Sequence, residues 1–495
     1  MNSKRWHWLT AALALAVLVV VSYSLLLQGV PASAALNAHA PKPAVAAANP
    51  RLAGAYRFQK GGWTYVHLQG TPDQIGYQHG YLLAPEIKDA FAAVKLEDTH
   101  TSKHNWNFFR EAAHNMLWPH IEAEYQAELK GIVAGLNARG VKMDLDDVVA
   151  LNAFMELPDY YAPWYDKQHK VANAPQRKVV GHCSAFVATG SWTKDGRIVI
   201  AHNNWTGYMD GERWRVIFDI APEHGYRMIG DGFPGVIVSD DDFTINSDGL
   251  MVTETTISAF HGWKPDGTPE FVRARKAMQY AGSIDDYVKI MLDGNNGGYA
   301  NDWLIGDNKT GEVAQFELGL KAYKVWRTKD GYYVGSNFTS DPTVTKLDTT
   351  YNVNDPTMSP NARHVRWDDL MKENKGKIDV ALAEKFEADH FDSYTKKEGA
   401  DGRTLCGHSD VSAKGDKGWD VAPFDPMGAV QGKVTDSNMA KQMTLIARAG
   451  HPCGENFYAK PFLAAHPQYD WQAPELHDMI AGPWTEFHSN QQAPK

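Results

Sequence analysis

Cys183 stands third in the stretch GHCSAFVATG (181–190) and is the first of only three cysteines in 495 residues. A thiol in mid-chain can be a small buried filler, half of a disulfide, a metal ligand or a nucleophile, and the local residues leave all four readings open. Nineteen residues further on comes HNNWTGY, with His202, Asn203, Asn204, Trp205 and Tyr208. An imidazole can orient or deprotonate a thiol, and a carboxamide can hold an oxyanion. This cluster therefore supplies partners for nucleophilic catalysis, provided the fold brings it to Cys183. A zinc set of Cys183, His202 and His408 is the metal alternative, but no CxxC or HExxH spacing supports it.

The elements between these residues bear on that condition. CSAFVAT and GRIVIAH are short β-branched runs separated by the turn piece TKDGR, which predicts a hairpin and sets the polar cluster beside the start of the cysteine strand. Further runs (RWRVIFDIA, GYRMIG, GVIVSD, DFTINS and LMVTETTI) continue an antiparallel meander. NDWLIGD, GEVAQFELG and GYYVGSN add strands later. Helical spacing marks TPDQIGYQHGYLLAPEIKDAFAAVKLED, with Thr71 as cap, and then IEAEYQAELKGIVAGLNARG and LDDVVALNAFMEL. It returns in PEFVRARKAMQYA, SIDDYVKIML, ARHVRWDDLMKE, DVALAEKFEADHF and SNMAKQMTLIAR. Strand meanders alternating with helical blocks predict an α+β fold, sheet on sheet with helices outside.

The N-terminus carries Lys4 and Arg5, a long apolar run, and then small residues offering ASA and AHA cleavage sites. This is the pattern of an export signal over residues 1–40, and the length of the run makes an uncleaved anchor (residues 6–30) the alternative, with membrane association through that segment. An Ala/Pro-rich linker follows, to about residue 60. Net charge of −10 with no Lys/Arg stripe argues against a nucleic-acid surface. In an oxidising compartment two of three cysteines can pair and one is left over. TLCGHSD and GHPCGENF can be read as a metal cluster; a disulfide between Cys406 and Cys453 is the expectation, with Cys183 as the free thiol. DGNNGGY (293–299) lacks the Lys-Ser/Thr ending of a phosphate loop and reads as a loop. No cofactor and no metal is expected.

CSAFVATGSWTKDGRIVIAHNNWTGY followed by SDDFTINSDGLMVTETTI resembles the phospholipase B-like proteins, which are N-terminal-nucleophile (Ntn) hydrolases. More distantly the chain is similar to the cysteine acyltransferases and to the bile-salt and penicillin V amidases. The likeness extends through GYQHGYLLAPEI, NDWLIGDNKTGEVAQFELG, ARHVRW and ARAGHPCGENF, covering most of residues 60–460. The resemblance implies a four-layer αββα Ntn-hydrolase sandwich and a precursor that cuts itself between His182 and Cys183. Residues 61–182 would then be a helical pro-segment or retained small chain, and 183–495 the catalytic chain with an N-terminal cysteine. It implies that His202 orients the nucleophile or assists the cut. Asn203 or Asn204 would stand near the holder of the α-amine, where the amidases place an aspartate that this stretch lacks. Thr255 and Thr256 fall near an oxyanion-side residue. Asn301 is a candidate oxyanion donor, and Arg363 or Arg366 a brace for the site or a substrate carboxylate. The expected activity is hydrolysis of an acyl amide or ester with a lipid-like or N-acyl substrate. The alternatives are an acyltransferase of the same fold and an inactive exported binding protein on this scaffold.

Overall fold

The computed structural model describes residues 49–175, 183–238 and 243–493. The expected signal or anchor, residues 41–48 of the linker, and His182 lie outside the described residues. Among those described, no helix is long and apolar enough to cross a membrane.

The strands are β1 (Tyr56–Lys60), β2 (Trp63–Gly70), β3 (Ser184–Gly190), β4 (Gly196–Gly207), β5 (Val216–Pro222), β6 (Met228–Gly232), β7 (Phe243–Asn246) and β8 (Leu250–Thr256). They continue as β9 (Asn301–Asp307), β10 (Glu312–Leu318), β11 (Tyr323–Thr328), β12 (Gly331–Gly335), β13 (Phe391–Asp392), β14 (Lys397–Glu398), β15 (Met427–Asp436), β16 (Thr444–Ala449) and β17 (Thr485–His488). A nine-stranded sheet runs β1-β2-β5-β6-β7-β8-β9-β10-β11, and a six-stranded sheet runs β12-β3-β4-β15-β16-β17. Every pairing within them is antiparallel except β2 with β5, which is parallel.

Alternation along the strands builds the layers, because successive side chains leave opposite faces of a sheet. Ala185, Val187, Ile198 and Ile200 pack with Ile217, Ile229, Met251 and Leu304 in a core between the two sheets. Their neighbours Phe186, Ala188, Val199 and Ala201 face the other way, onto Trp367, Leu370 and Phe386 of the helices Ser359–Glu373 and Val380–Glu387. Val66, Phe218, Val252 and Ile305 on the outer face of the larger sheet meet the helical block built from residues 72–162 and the helix Glu270–Tyr280. The order is helix, sheet, sheet, helix, the αββα sandwich that the resemblance implies.

The segment upstream of Cys183 is not purely helical. It donates β1 and β2 to the nine-stranded sheet, so β1 begins inside the expected linker. Its helix Pro72–Leu82 starts at a capping box formed by Thr71 and Gln74. That helix lies against Ala123–Ala138 closely enough that a Cβ on Gly76 would sit 1.8 Å from Glu128 O, and one on Gly131 2.6 Å from Asp73 O. Two other expectations fail. GVIVSD forms no strand over 235–238, because its backbone is bound by side chains: Gly235 N donates to His79 Nε2, Asn152 Nδ2 donates to Gly235 O, and Ile237 N donates to Asn152 Oδ1. SNMAKQMTLIAR is a four-residue helix, Ser437–Ala440, followed by β16, whose Leu445, Ala447 and Ala449 enter the inter-sheet core.

The close helix contact yields a stability prediction. Gly76→Ala and Gly131→Ala should each destabilise the chain by about 1–3 kcal/mol, because the clash is with backbone that cannot rotate away. Val365→Ala, at a side chain 45% exposed, should stay within about 0.5 kcal/mol in the same urea titration.

Candidate active site

The hairpin forms as the turn chemistry requires. β3 and β4 pair with Ser184 opposite Asn203 and Ala185 opposite His202. Cys183 is the residue before β3, 1% exposed, with φ of 93°. That backbone angle is strained for a residue carrying a Cβ, at a cost on the order of 1–3 kcal/mol. Its Sγ lies 3.8 Å from Asn204 Oδ1 and 3.6 Å from Glu254 Oε1. Glu254, on β8, also accepts from the Tyr299 hydroxyl at 3.1 Å.

Arg363 holds the backbone of the same residue. Its Nη1 donates to Cys183 O at 2.6 Å and to Ser184 Oγ at 2.8 Å, Nη2 to Asn337 Oδ1 at 2.7 Å, and Nε to Ser359 Oγ at 2.9 Å. The guanidinium packs against two neighbouring indoles, 4.5 Å from the Trp205 centroid and 5.1 Å from that of Trp419. Burial lowers its pKa to about 9, so it is still cationic at neutral pH.

The two asparagines of the motif part company. Asn204 faces the thiol. Asn203 leaves the opposite face of β4, where its Nδ2 donates to Glu387 O at 2.7 Å and to Leu405 O at 3.1 Å. Trp205 Nε1 shares the Leu405 carbonyl at 3.0 Å. His202 lies with Cys183 and Glu254, one polar atom from each within 4.8 Å of the others. Thr256 is paired in register with Asn301 across β8 and β9, and its carbonyl accepts from Asn337 Nδ2 at 2.9 Å. The Asn301 carboxamide and the Thr255 and Thr256 hydroxyls are buried and make no hydrogen bond among the described residues. Thr255 meets Gly335 of β12, where a Cβ would lie 2.5 Å from its Oγ1. Arg366 is away from this group, paired through two bonds to Asp389. Beyond Asn204, Thr206 and Gly207 line a cleft of about 190 Å³ whose described walls also include Asp159, Asp210, Asp420 and Trp471.

Glu254, Asn337, Tyr299 and Trp419 are the members that sequence reasoning missed. A glutamate inside the otherwise apolar and hydroxyl-bearing run LMVTETTI was the one available signal. The zinc set of Cys183, His202 and His408 does not assemble, because His408 sits in a separate cluster with His390, Cys406 and Cys453. The Arg363 guanidinium at Cys183 further disfavours a dication there. The disulfide expected between Cys406 and Cys453 is not formed: all three cysteines are free thiols.

A thiol at the head of a central strand in an αββα sandwich, with its carbonyl clamped by a buried arginine, defines the class to which the chain's sequence relationships can be compared. The phospholipase B family model matches residues 74–353, more than half of the chain. The chain belongs to the phospholipase B family. It is 25% identical over 263 residues to phospholipase B-like 1 of Bos taurus, covering 47% of this chain and 48% of that one. It is 24% identical over 262 residues to the Homo sapiens protein of the same name, covering 47% of each. An uncharacterized protein of Archaeoglobus fulgidus is 24% identical over 271 residues, covering 52% of this chain and 44% of that one. The chain thus spans about half the length of the relatives it matches. Among solved structures, a mutant of the conjugated bile acid hydrolase from Clostridium perfringens aligns with a TM-score of 0.30 and 13% identity, covering 54% of this chain and 89% of that one.

The environment of His202 sets a pH dependence. Burial, and then the Lys433 ammonium, hold its pKa well below the ordinary histidine value, so the ring is neutral in the folded protein. The unfolded chain protonates it near pH ~6.5 and the folded chain does not. Stability therefore falls as the pH drops below that value, by up to about 1.4 kcal/mol per pH unit from this residue. Urea titrations at several pH values should give His202→Gln a shallower loss on acidification than the wild type; equal slopes would show that the ring titrates normally.

Proposed function

We propose that this chain is an exported, self-processing cysteine hydrolase that cuts itself between His182 and Cys183 and then hydrolyses an acyl amide or ester through an acyl-enzyme on Cys183. The observation that carries this reading is the setting of Cys183: a buried thiol facing Asn204 Oδ1 and Glu254 Oε1, with its own carbonyl fixed by Arg363.

In the first step the Cys183 sulfur attacks the carbonyl carbon of residue 182. The C–N bond breaks, the acyl group moves from nitrogen to sulfur, and the nitrogen leaves protonated. Water then hydrolyses the thioester, leaving a carboxylate on residue 182 and a free α-amine on Cys183. The strained φ of 93° favours this step, because φ is defined through the carbonyl carbon of residue 182 and the constraint vanishes with the bond.

In turnover the freed α-amine, with a reference pKa of about 7.7–8.0, takes the thiol proton. Asn204 and Glu254 offer the neighbouring acceptors for its charged form. The thiolate attacks the substrate carbonyl, the leaving group departs with the proton, and water releases the acyl group as a carboxylic acid. Asn301 and the Thr256 hydroxyl are the buried donors with capacity for the oxyanion. Arg363 acts as a positioning residue through the Cys183 carbonyl. The carboxylates lining the nearby cleft favour neutral or cationic head groups, such as those of N-acyl amines and choline or ethanolamine lipids, over anionic ones.

A panel of N-acyl amines, acyl esters and phospholipids tests the turnover. The expected outcome is an acyl mass adduct confined to the peptide that begins at Cys183, with turnover abolished in Cys183→Ala. Glu254→Gln should lower kcat about 10²-fold or more while binding is retained. Full hydrolysis by Cys183→Ala would sink the assignment.

A further inference from the structure

We propose that His390, Cys406, His408 and Cys453 bind one Zn²⁺ in a closed structural site that braces the sheet behind the nucleophile.

The four side chains come from three separate stretches. His390 follows the helix Val380–Glu387, Cys406 and His408 share one loop, and Cys453 follows β16. One donor atom from each lies within 4.8 Å of the other three. Cys406 Sγ and Cys453 Sγ are each 3.5 Å from the same atom, His408 Nε2. In a tetrahedral zinc site, Zn–S of about 2.3 Å and Zn–N of about 2.0–2.1 Å set the S···N edge at about 3.5 Å. Hydrogen bonds link Cys453 to Cys406, His390 and His408, but His408 Nε2 can bond only one of the two sulfurs it faces. A ring nitrogen presents one lone pair or one hydrogen in the ring plane, so it cannot serve two sulfurs at once. A single cation at the centre serves both.

The surroundings are those of a metal site held for structure. Cys406 is 0% and His408 2% exposed. The protein fills all four positions, leaving none for water or substrate. The His390 and His408 rings stand edge to face, centroids 5.1 Å apart. His408 turns its other nitrogen toward Asp410 Oδ1 at 4.0 Å, and that oxygen accepts from Tyr208 Oη at 2.6 Å. A carboxylate behind a ligating imidazole helps to orient the ring. Backbone bonds from Cys406 N to Asp389 O and from His408 N to Asp401 O fix the loop that carries two of the ligands. Two sulfurs and two imidazoles in a tetrahedron select zinc among the common divalent ions. Binding replaces two thiol protons with the cation, so affinity falls in acid. A disulfide between the same cysteines would leave two imidazoles facing it with no role.

The site connects to the nucleophile without touching it. The Leu405 carbonyl, one residue before Cys406, receives both Asn203 Nδ2 and Trp205 Nε1 of β4. Trp205 in turn packs against the Arg363 guanidinium. All four ligands lie beyond residue 353, where the match to the family model ends.

Metal analysis of the purified full chain tests this independently of self-cleavage and activity. About one zinc per chain is expected in the wild type and in Cys183→Ala, and it should be released when a mercurial reagent titrates the thiols. His408→Ala and Cys453→Ser should lose the metal and unfold at a lower temperature. A wild-type chain without zinc, lighter by two hydrogens from a Cys406–Cys453 disulfide, would overturn the proposal. So would zinc that persists in His408→Ala and disappears in Cys183→Ala. Because the wild-type stoichiometry and thiol state are decisive alone, failure of a variant to fold does not rescue the idea.

Discussion

The structure turns on one buried cation. Arg363 is 0% exposed, and taking a guanidinium out of water costs several kcal/mol unless its donors and faces are occupied. Here they are. Its donors reach Cys183 O, Ser184 Oγ, Asn337 Oδ1 and Ser359 Oγ, and the indoles of Trp205 and Trp419 pack against it. The same contacts tie the head of β3, the loop after β12 and the helix Ser359–Glu373 to one point. Cys183 can hold a positive φ because its carbonyl has nowhere else to go.

From that point the two-residue period of the sheet distributes the work. On β4, His202 and Asn204 face the inter-sheet space and the thiol, while Asn203 and Trp205 face the helical layer and hold the Leu405 carbonyl. Reactive and supporting groups thus alternate along four consecutive residues. A one-residue slip in register would exchange them, and the pairing of Ser184 with Asn203 fixes that register. The upstream segment completes the larger sheet through β2 beside β5, which gives residues before the proposed cut a structural reason to stay with those after it.

The sequence was most legible where chemistry and structure are local. CSAFVAT, TKDGR and GRIVIAH announce a hairpin because strand propensity and turn residues sit within one short stretch, and Cys183 and His202 follow from it. Glu254, Asn337 and Trp419 were not legible as site residues, because only tertiary pairing brings three distant segments to Cys183. Asn203 and Asn204 could not be separated without knowing which face of β4 is inward. GVIVSD reads as a strand on β propensity alone, yet its backbone donors and acceptors go to His79 and Asn152 in the helical layer. MTLIAR reads as the continuation of a helix because its period of two is short and follows a genuine helical turn. The two C-terminal cysteines looked like a disulfide from their number; the histidines that converge on them come from separate stretches of chain.

The central claim is that GH at 181–182 ends one polypeptide and CSAFVATG begins another. Intact mass and N-terminal sequencing of the purified protein, wild type beside Cys183→Ala, test it most directly. The account predicts two wild-type fragments, one with Cys183 as its first residue, and a single uncut chain for the variant. A wild-type protein that remains one chain through residues 182 and 183, or a variant cut at the same bond, would contradict it.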